Sequence, residues 1–153
     1  MEKELIIKTE SEMIDLGYKI GSKAFKGMVI TLVGDLGAGK TTMTKGIGKA
    51  LNITRVINSP TFTIMKIYEG DYTLYHMDVY RIDNNSGDDY LEEYFYQDGV
   101  SVIEWADNIS DILPKSRLDI SIEIDQDFNR KVTLKSNSEE YIKIIEGLTL
   151  WKY

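Results

Sequence analysis

Several residue types are scarce in this chain, and their scarcity excludes several classes of protein. The 153 residues include no cysteine, two prolines and one histidine, so a disulfide framework is excluded. The N-terminus carries no secretory signal, and the apolar run at residues 28–33 is far shorter than the ~20 residues that span a bilayer. We therefore expect a cytoplasmic protein without a membrane segment.

Basic residues are also scarce relative to acidic ones. The chain has 18 lysines and arginines against 25 aspartates and glutamates, which gives a formal net charge of -7. A protein whose main task is to bind nucleic acid neutralises the phosphates with a basic surface. We therefore expect any contact with RNA to be indirect, through a partner protein.

Residues 34–41 form the most informative motif. They read Gly-Asp-Leu-Gly-Ala-Gly-Lys-Thr, a phosphate-binding loop (P-loop), between a run of β-branched residues and a helical pattern. The glycines allow successive backbone N–H groups to turn towards an anion, and the helix that follows adds the positive end of its dipole. Lys40 is expected to reach the β- and γ-phosphates, and the Thr41 hydroxyl is expected to ligate the Mg²⁺ of a bound nucleotide.

The pattern of apolar and polar residues predicts an α/β fold. With 42% hydrophobic residues the chain can form one core, and we expect a single P-loop ATPase domain over residues 1–153. Strands are predicted at residues 5–7, 28–33, 61–68, 72–79, 100–105, 118–124 and 131–135. Helices are predicted after a capping box at Thr9 and Glu12, over 41–51, around 91–95 and over 139–148, and a surface loop over 83–89. The expected architecture is a P-loop NTPase-like mixed β-sheet with flanking helices, in which two hairpins add antiparallel strands to a central P-loop strand.

Two acidic residues lie where a hydrolytic site requires them. Transfer of a phosphoryl group to water needs groups that complete the metal shell and position the attacking water. Glu104 ends an apolar run, and period-2 alternation places Asp78 on one strand face with His76 and Tyr80. Position alone does not separate these roles from ordinary charges at strand ends. His76 is expected to be a hydrogen-bonded structural residue rather than a base.

Four motifs follow one another between residues 34 and 105. They are Gly-Asp-Leu-Gly-Ala-Gly-Lys-Thr-Thr at 34–42, Ser-Pro-Thr-Phe at 59–62, His-x-Asp-x-Tyr-Arg at 76–81 and Ile-Glu-Trp at 103–105. In kind and order they resemble the motifs of the TsaE family, the bacterial ATPase of tRNA threonylcarbamoyladenosine biosynthesis. The resemblance implies an Mg²⁺-dependent ATPase that supports modification of adenosine 37 of tRNA together with the proteins TsaD and TsaB.

The resemblance also implies roles for individual residues. Lys40 would contact phosphates, Thr41 and Glu104 would serve Mg²⁺ or its water shell, and Asp78 would be the second acid needed for turnover. The candidate catalytic residues are therefore Glu104, Asp78 and Lys40, and the candidate metal ligands are Thr41, Glu104 and Asp78. The residues expected to bind ATP are Gly37, Ala38, Gly39, Lys40, Thr41, Thr42, Glu10 and Arg130.

The resemblance implies roles for two further residues, and two of the assignments above rest on weaker ground. Thr61 would lie in a switch-like segment that responds to the γ-phosphate, and Trp105 would support the site or pack in the core. Glu10, at the start of the first helix, and Arg130, in the turn between the last two strands, match the family by location only. A helix cap and a surface charge explain those two residues equally well. Ala106 replaces the proline that is frequent after the family's Glu-Trp, which leaves Glu104 in place.

Three other functions compete with an ATPase. A small-molecule P-loop kinase generally brings arginines over the phosphates, but the four arginines here are scattered along the sequence. A GTPase is disfavoured because the Asn-Lys-x-Asp motif that reads guanine is absent. A regulatory module that binds ATP and reports its state to a partner, with little hydrolysis of its own, stays open.

Overall fold

The structure, a computed structural model, describes residues 1–35, 37–60, 64–82, 89–95 and 97–148. Its strands are β1 (Glu2–Ile7), β2 (Val29–Gly34), β3 (Met65–Tyr68), β4 (Leu74–Asp78), β5 (Val100–Glu104), β6 (Leu118–Ile124) and β7 (Arg130–Lys135). Its helices are α1 (Glu10–Gly21), α2 (Lys40–Ala50), α3 (Glu92–Phe95) and α4 (Glu139–Gly147), with 3-10 turns at Asp89–Leu91 and Ala106–Ile109. Within the described ranges, none of these helices has the length and apolar character needed to cross a membrane.

All seven strands form one mixed sheet, in the order β1-β7-β6-β2-β5-β4-β3. Strand β2 is parallel to both of its neighbours, β5 and β6, and β4 is parallel to β5. The pairs β3–β4, β6–β7 and β1–β7 are antiparallel. The predicted fold class is therefore confirmed, with a central P-loop strand and two antiparallel hairpins. Because β2, β4 and β5 are parallel, their carboxyl ends meet at one edge of the sheet.

Two predictions about the edges of the sheet are wrong. Strand β1 begins at Glu2 rather than at residue 5, because it is paired along its full length with β7. Arg130 is the first residue of β7 and not part of the preceding turn, since it is paired with both Ile7 and Ile124. The predicted surface loop at 83–89 lies outside the described residues except for its last position, which begins a 3-10 turn.

The central strands β2, β4 and β5 are buried on both faces of the sheet, and β2 shows this directly. Its side chains Ile30 and Leu32 enter a core shared with α1, α2 and α4. Val29 points to the opposite face and joins Met77 and Ile103 in a second core under α3. A strand between two cores has no need for polar positions, which explains the almost uninterrupted apolar run of the sequence here.

Helix α1 begins with the predicted capping box. The Thr9 hydroxyl accepts a hydrogen bond from the backbone N–H of Glu12 at 3.1 Å, and the Glu12 carboxylate accepts one from the backbone N–H of Lys8 at 2.9 Å. The carboxylate thus bonds one residue earlier than in the standard box, where it would return to the capping residue itself. This cap fixes the start of α1 next to the P-loop.

Helices α1 and α2 approach each other at two glycines. A Cβ atom built on Gly17 would lie 2.1 Å from the carbonyl oxygen of Met43, and one on Gly46 would lie 2.1 Å from that of Ile14. No other residue type fits at this spacing without separating the helices. We expect Gly17→Ala to lower the free energy of unfolding by about 1–3 kcal/mol. The energetic cost of overpacking the added methyl group is larger than the stabilisation that alanine gains from its higher helix propensity.

Gly147→Ala is the matched control for that substitution. Gly147 also lies in a helix, as the last residue of α4, but a Cβ built on it meets no atom within 4 Å. This variant should be neutral or stabilised by up to about 1 kcal/mol. Urea unfolding followed by circular dichroism compares the two variants. Equal stability of Gly17→Ala and the parent protein would contradict the close approach of the helices.

Candidate functional site

A cradle of backbone groups lies where β2 passes into α2. Gly37 and Gly39 have φ angles of 79° and 115°, a region that residues with a Cβ rarely adopt. Gly39 occupies the N-cap position of α2, and it has no side chain to accept a hydrogen bond from the N–H groups of the first helical turn. The N–H groups of the first helical turn, which includes Thr41 and Thr42, are therefore available to an anion.

Lys40 places a buried positive charge beside this cradle. Its ammonium donates a hydrogen bond to the carbonyl oxygen of Gly34 at 2.6 Å and lies 4.1 Å from the centroid of the Trp105 ring. Burial lowers the pKa of Lys40, and the carboxylates of Glu104 and Asp78 act against that shift. The cation is thus held by one carbonyl group and one aromatic face, within the field of two acids.

The two predicted acids lie side by side at the same edge of the sheet. Asp78 and Glu104 are direct partners in the parallel register of β4 and β5, at the carboxyl end of each strand. Burial raises the pKa of Asp78, its hydrogen bond from the backbone N–H of Tyr80 opposes the rise, and the negative charge of Glu104 adds to it. The structure therefore brings together Lys40, Asp78 and Glu104 as the sequence predicts.

The prediction that Tyr80 shares the strand face of Asp78 is wrong. Strand β4 ends at Asp78, whose Oδ1 accepts a hydrogen bond from the backbone N–H of Tyr80 at 3.0 Å and turns the chain. The exposed Tyr80 ring instead packs on Trp105, with the ring centroids 4.8 Å apart. Trp105 thus serves both suggested purposes, because it packs in the second core and also contacts Lys40.

His76 is hydrogen-bonded, as predicted, and its partner is one of the candidate acids. Its Nε2 lies 2.6 Å from Oε2 of Glu104, and both side chains are buried. Sequence reasoning did not connect the two residues. The available signal was the position of His76, which precedes Asp78 by two residues and therefore shares its strand face.

The oxygen donors at this edge of the sheet suit a magnesium ion brought by a nucleotide. Among the described residues, no three histidine, aspartate or glutamate side chains form a group that could hold a metal alone. Mg²⁺ is usually bound through one or two carboxylates together with phosphate oxygens and waters, so a complete protein cage is not needed. The carboxylates of Asp78 and Glu104 and the Thr41 hydroxyl are donors of the required hard type.

A cavity of about 280 Å³ lies on the other side of the P-loop, against the start of α1. Its lining includes the remaining residues that were expected to contact the nucleotide, namely Glu10, Gly37, Ala38, Gly39, Thr42 and Arg130. Sequence reasoning missed several members of the lining, among them Phe128, which is 81% exposed and has a φ of 62°. A large apolar residue in the otherwise polar turn at 125–129 was the signal that could have revealed it.

Arg130 connects this cavity to the P-loop. Its guanidinium donates hydrogen bonds to the carbonyl oxygens of Ala38 at 3.0 Å, Gly37 at 3.3 Å and Phe128 at 2.7 Å. Arg130 therefore holds the P-loop through its carbonyl groups, and the arginine side chain also borders the cavity. The switch-like Thr61 lies outside the described residues.

A family model with the description "Threonylcarbamoyl adenosine biosynthesis protein TsaE" matches residues 7–132 of the chain. This match covers the P-loop, the three strands that carry the site and the cavity next to α1.

Individual proteins are similar to the chain over most of its length. The tRNA threonylcarbamoyladenosine biosynthesis protein TsaE of Bacillus subtilis is 50% identical over 124 residues, which are 80% of this chain and 78% of that protein. The protein of the same name from Treponema pallidum is 41% identical over 126 residues, 77% of this chain and 89% of that protein. A crystal structure of YdiB from Bacillus subtilis superposes with a TM-score of 0.84 and 39% identity, covering 95% of this chain and 93% of that one.

Proposed function

The chain belongs to the TsaE family, and from that membership we propose that it is an Mg²⁺-dependent ATPase acting in tRNA threonylcarbamoyladenosine biosynthesis. One juxtaposition carries the proposal of hydrolysis. A buried lysine, two adjacent acids and an uncapped helix N-terminus meet within one edge of the sheet. These are the parts that phosphoryl transfer to water requires, namely a phosphate cradle, a cation and acids for the metal and the water.

Lys40 and the P-loop would bind the phosphates. The N–H groups around Gly37 and Gly39 would surround the phosphate oxygens, and Lys40 would exchange its bond to the carbonyl of Gly34 for one to a phosphate. A negative phosphate near Lys40 would also stabilise the charged ammonium, which burial alone disfavours. Binding of the nucleotide and charging of this lysine therefore support each other.

The two acids and Thr41 would serve the metal ion and the attacking water. Bound Mg²⁺ would neutralise charge that develops on the phosphates. Asp78 and Glu104 are adjacent, so one can help to hold the ion while the other orients a water, and the geometry leaves both assignments open. Trp105 would shield the lysine from solvent on the side opposite the cradle.

The cavity beside α1 would take the adenosine part of ATP. Glu10 and the glycines of the P-loop form its walls, and Arg130 keeps the loop carbonyls in place from behind. Phe128 offers an exposed aromatic face at the same cavity, a suitable surface for a planar base. Adenine and phosphates would then lie on opposite sides of Gly39. Residues 1–153 would act as one ATPase domain, and the protein would work in the cytoplasm.

TsaD and TsaB are the proposed partner proteins, with tRNA reached through them. Three of the four arginines are engaged elsewhere: Arg130 on loop carbonyls, Arg117 on Asp119 and Arg55 on the ring of Tyr68. The fourth, Arg81, is exposed and follows Asp78 by three residues. Among the described residues, Arg130 is the one arginine that donates hydrogen bonds to the P-loop, and it does so on the cavity side. An arginine that reaches the γ-phosphate accelerates related enzymes by roughly 10³–10⁵-fold, so hydrolysis by the isolated chain should be slow.

We expect TsaD and TsaB together to raise the ATP hydrolysis rate at least about tenfold, since a partner can complete the site. Phosphate release is measured for the chain alone, for TsaD with TsaB, and for all three proteins, and tRNA modification is followed over several turnovers in parallel. Equal hydrolysis with and without the partners would contradict partner stimulation. ATP binding without hydrolysis in any mixture would favour the regulatory module over the ATPase.

A further inference from the structure

His76 has an environment that packing alone does not explain. It is the single histidine of the chain and is 0% exposed. Its Nε2 atom lies 2.6 Å from Oε2 of Glu104, which is itself 3% exposed. Its Nδ1 atom is buried and has no hydrogen-bond partner among the described residues. An apolar side chain of similar volume would fill this space and avoid the unpaired Nδ1, but it would leave the buried Oε2 of Glu104 without its hydrogen bond.

We propose that His76 is a positioning residue that holds the carboxylate of Glu104 in its working orientation. The proposal rests on the function proposed above, in which Glu104 serves the metal ion or the attacking water. A hydrogen bond to Oε2 restricts rotation of the carboxylate and leaves the other oxygen free for the nucleotide side. Outer partners of this kind orient acidic groups at metal sites, and their loss typically reduces activity or metal affinity 10–100-fold.

The register of the strands explains why the His76 ring can hydrogen-bond to Glu104 from the interior of the sheet. Asp78 is the direct partner of Glu104, and His76 is the partner of Val102, two pairs further from the edge of the sheet. His76 and Asp78 share a strand face because they are two residues apart. The histidine therefore reaches Glu104 from the interior, while Asp78 lies beside it at the open edge.

The chemistry of the pair specifies which ring nitrogen carries the hydrogen. An ionised carboxylate only accepts hydrogen bonds, so Nε2 must be the donor if Glu104 is to act as a charged group. The reverse arrangement, in which Nε2 accepts, would require a protonated Glu104, and a neutral acid could not serve Mg²⁺. A hydrogen on Nε2 is therefore required if His76 positions an ionised Glu104, and its absence is incompatible with that role.

The first test determines by NMR whether Nε2 of His76 carries the hydrogen. Because the chain has one histidine, labelling with ¹⁵N-histidine gives NMR signals from His76 alone. We expect a hydrogen on Nε2 with a strongly downfield shift, and loss of that shift in Glu104→Ala, which removes the acceptor. A ring whose Nε2 carries no hydrogen would overturn the proposal. This measurement does not depend on ATP hydrolysis, so it decides the point even if the proposed function fails.

The second test separates positioning from packing by two substitutions at the same residue. In His76→Gln, the amide nitrogen of glutamine can take the place of Nε2 and donate to Glu104. In His76→Asn, the side chain is shorter, so its amide nitrogen takes the place of Nδ1 and does not reach Glu104. We expect His76→Asn to lower kcat about tenfold while the Kd for ATP stays within about twofold, and His76→Gln to restore most of the rate. Thermal melting of both variants establishes that they fold.

The outcomes of the second test are distinct. Full activity of His76→Asn alongside an inactive Glu104→Ala would overturn the positioning role and leave the ATPase proposal intact. Equal loss in His76→Asn and His76→Gln, with both variants folded, would also overturn it, because only the hydrogen bond distinguishes them. No hydrolysis by the unaltered chain with its partners would instead reject the ATPase proposal.

Discussion

ATP binding is expected to weaken about ten- to a hundredfold when Lys40 is replaced by alanine. A hydrogen bond to a charged group contributes about 1.5–3 kcal/mol, and each 1.4 kcal/mol is a factor of ten in affinity. Lys40 is buried next to the phosphate cradle, where among the described residues it contacts the Gly34 carbonyl and the Trp105 ring, and it can leave both. Its removal therefore takes away the main positive charge for the phosphates. Isothermal titration with ATP and Mg²⁺ measures the change.

Lys45→Ala is the control for this substitution. Lys45 belongs to the same helix but is exposed, and within the described part of the chain no carboxylate lies within 4.0 Å of its ammonium. This variant loses the same charge from α2 without touching the cradle, so its affinity should stay within about twofold. A Lys40→Ala variant that binds ATP as tightly as Lys45→Ala would remove the phosphate role from Lys40.

ATP hydrolysis is expected to fall at least about a hundredfold in Glu104→Gln, while ATP binding is retained. Acid and base groups in enzymes contribute typically 10²–10⁴-fold, and glutamine keeps the shape of the side chain without its charge. The amide oxygen can still accept the hydrogen bond from His76, so the fold around the buried pair should persist. Phosphate release in the presence of the partners measures the rate, and titration with ATP measures the affinity.

The control for Glu104→Gln is Glu123→Gln, which removes one negative charge from an exposed position of β6. Hydrolysis by this variant should match that of the unaltered chain. If Glu104→Gln loses ATP binding as well, then Glu104 is chiefly an anchor for the metal–nucleotide complex. Unchanged hydrolysis would mean that Glu104 takes no part in the reaction.

The sequence identified the main residues of the site because their signals are local. The P-loop is a contiguous motif, and Glu104 is recognisable as an acid that ends an apolar strand. Lys40, Asp78 and Glu104 then meet because β2, β4 and β5 are parallel and end at one edge. The sequence therefore predicted that these residues share one edge of the sheet, and the order β2-β5-β4 brings them into proximity.

The features that the sequence did not reveal depend on pairing between distant segments. His76 and Glu104 are 28 residues apart, and their contact exists because β4 lies directly beside β5. Arg130 was expected in a turn, but pairing with β1 and β6 extends β7 to include it. Hydrophobic periodicity specifies which face of a strand is buried and not which strand is its neighbour, so neither contact could be derived from it.

The glycine contacts between α1 and α2 also bear on the width of the cavity beside the P-loop. Gly17 and Gly46 bring the two helices into backbone contact, and the start of α1 and the P-loop at the start of α2 form walls of the cavity. Because both walls belong to helices that are packed this closely, the cavity cannot widen unless one of the helices bends or the glycine contacts separate.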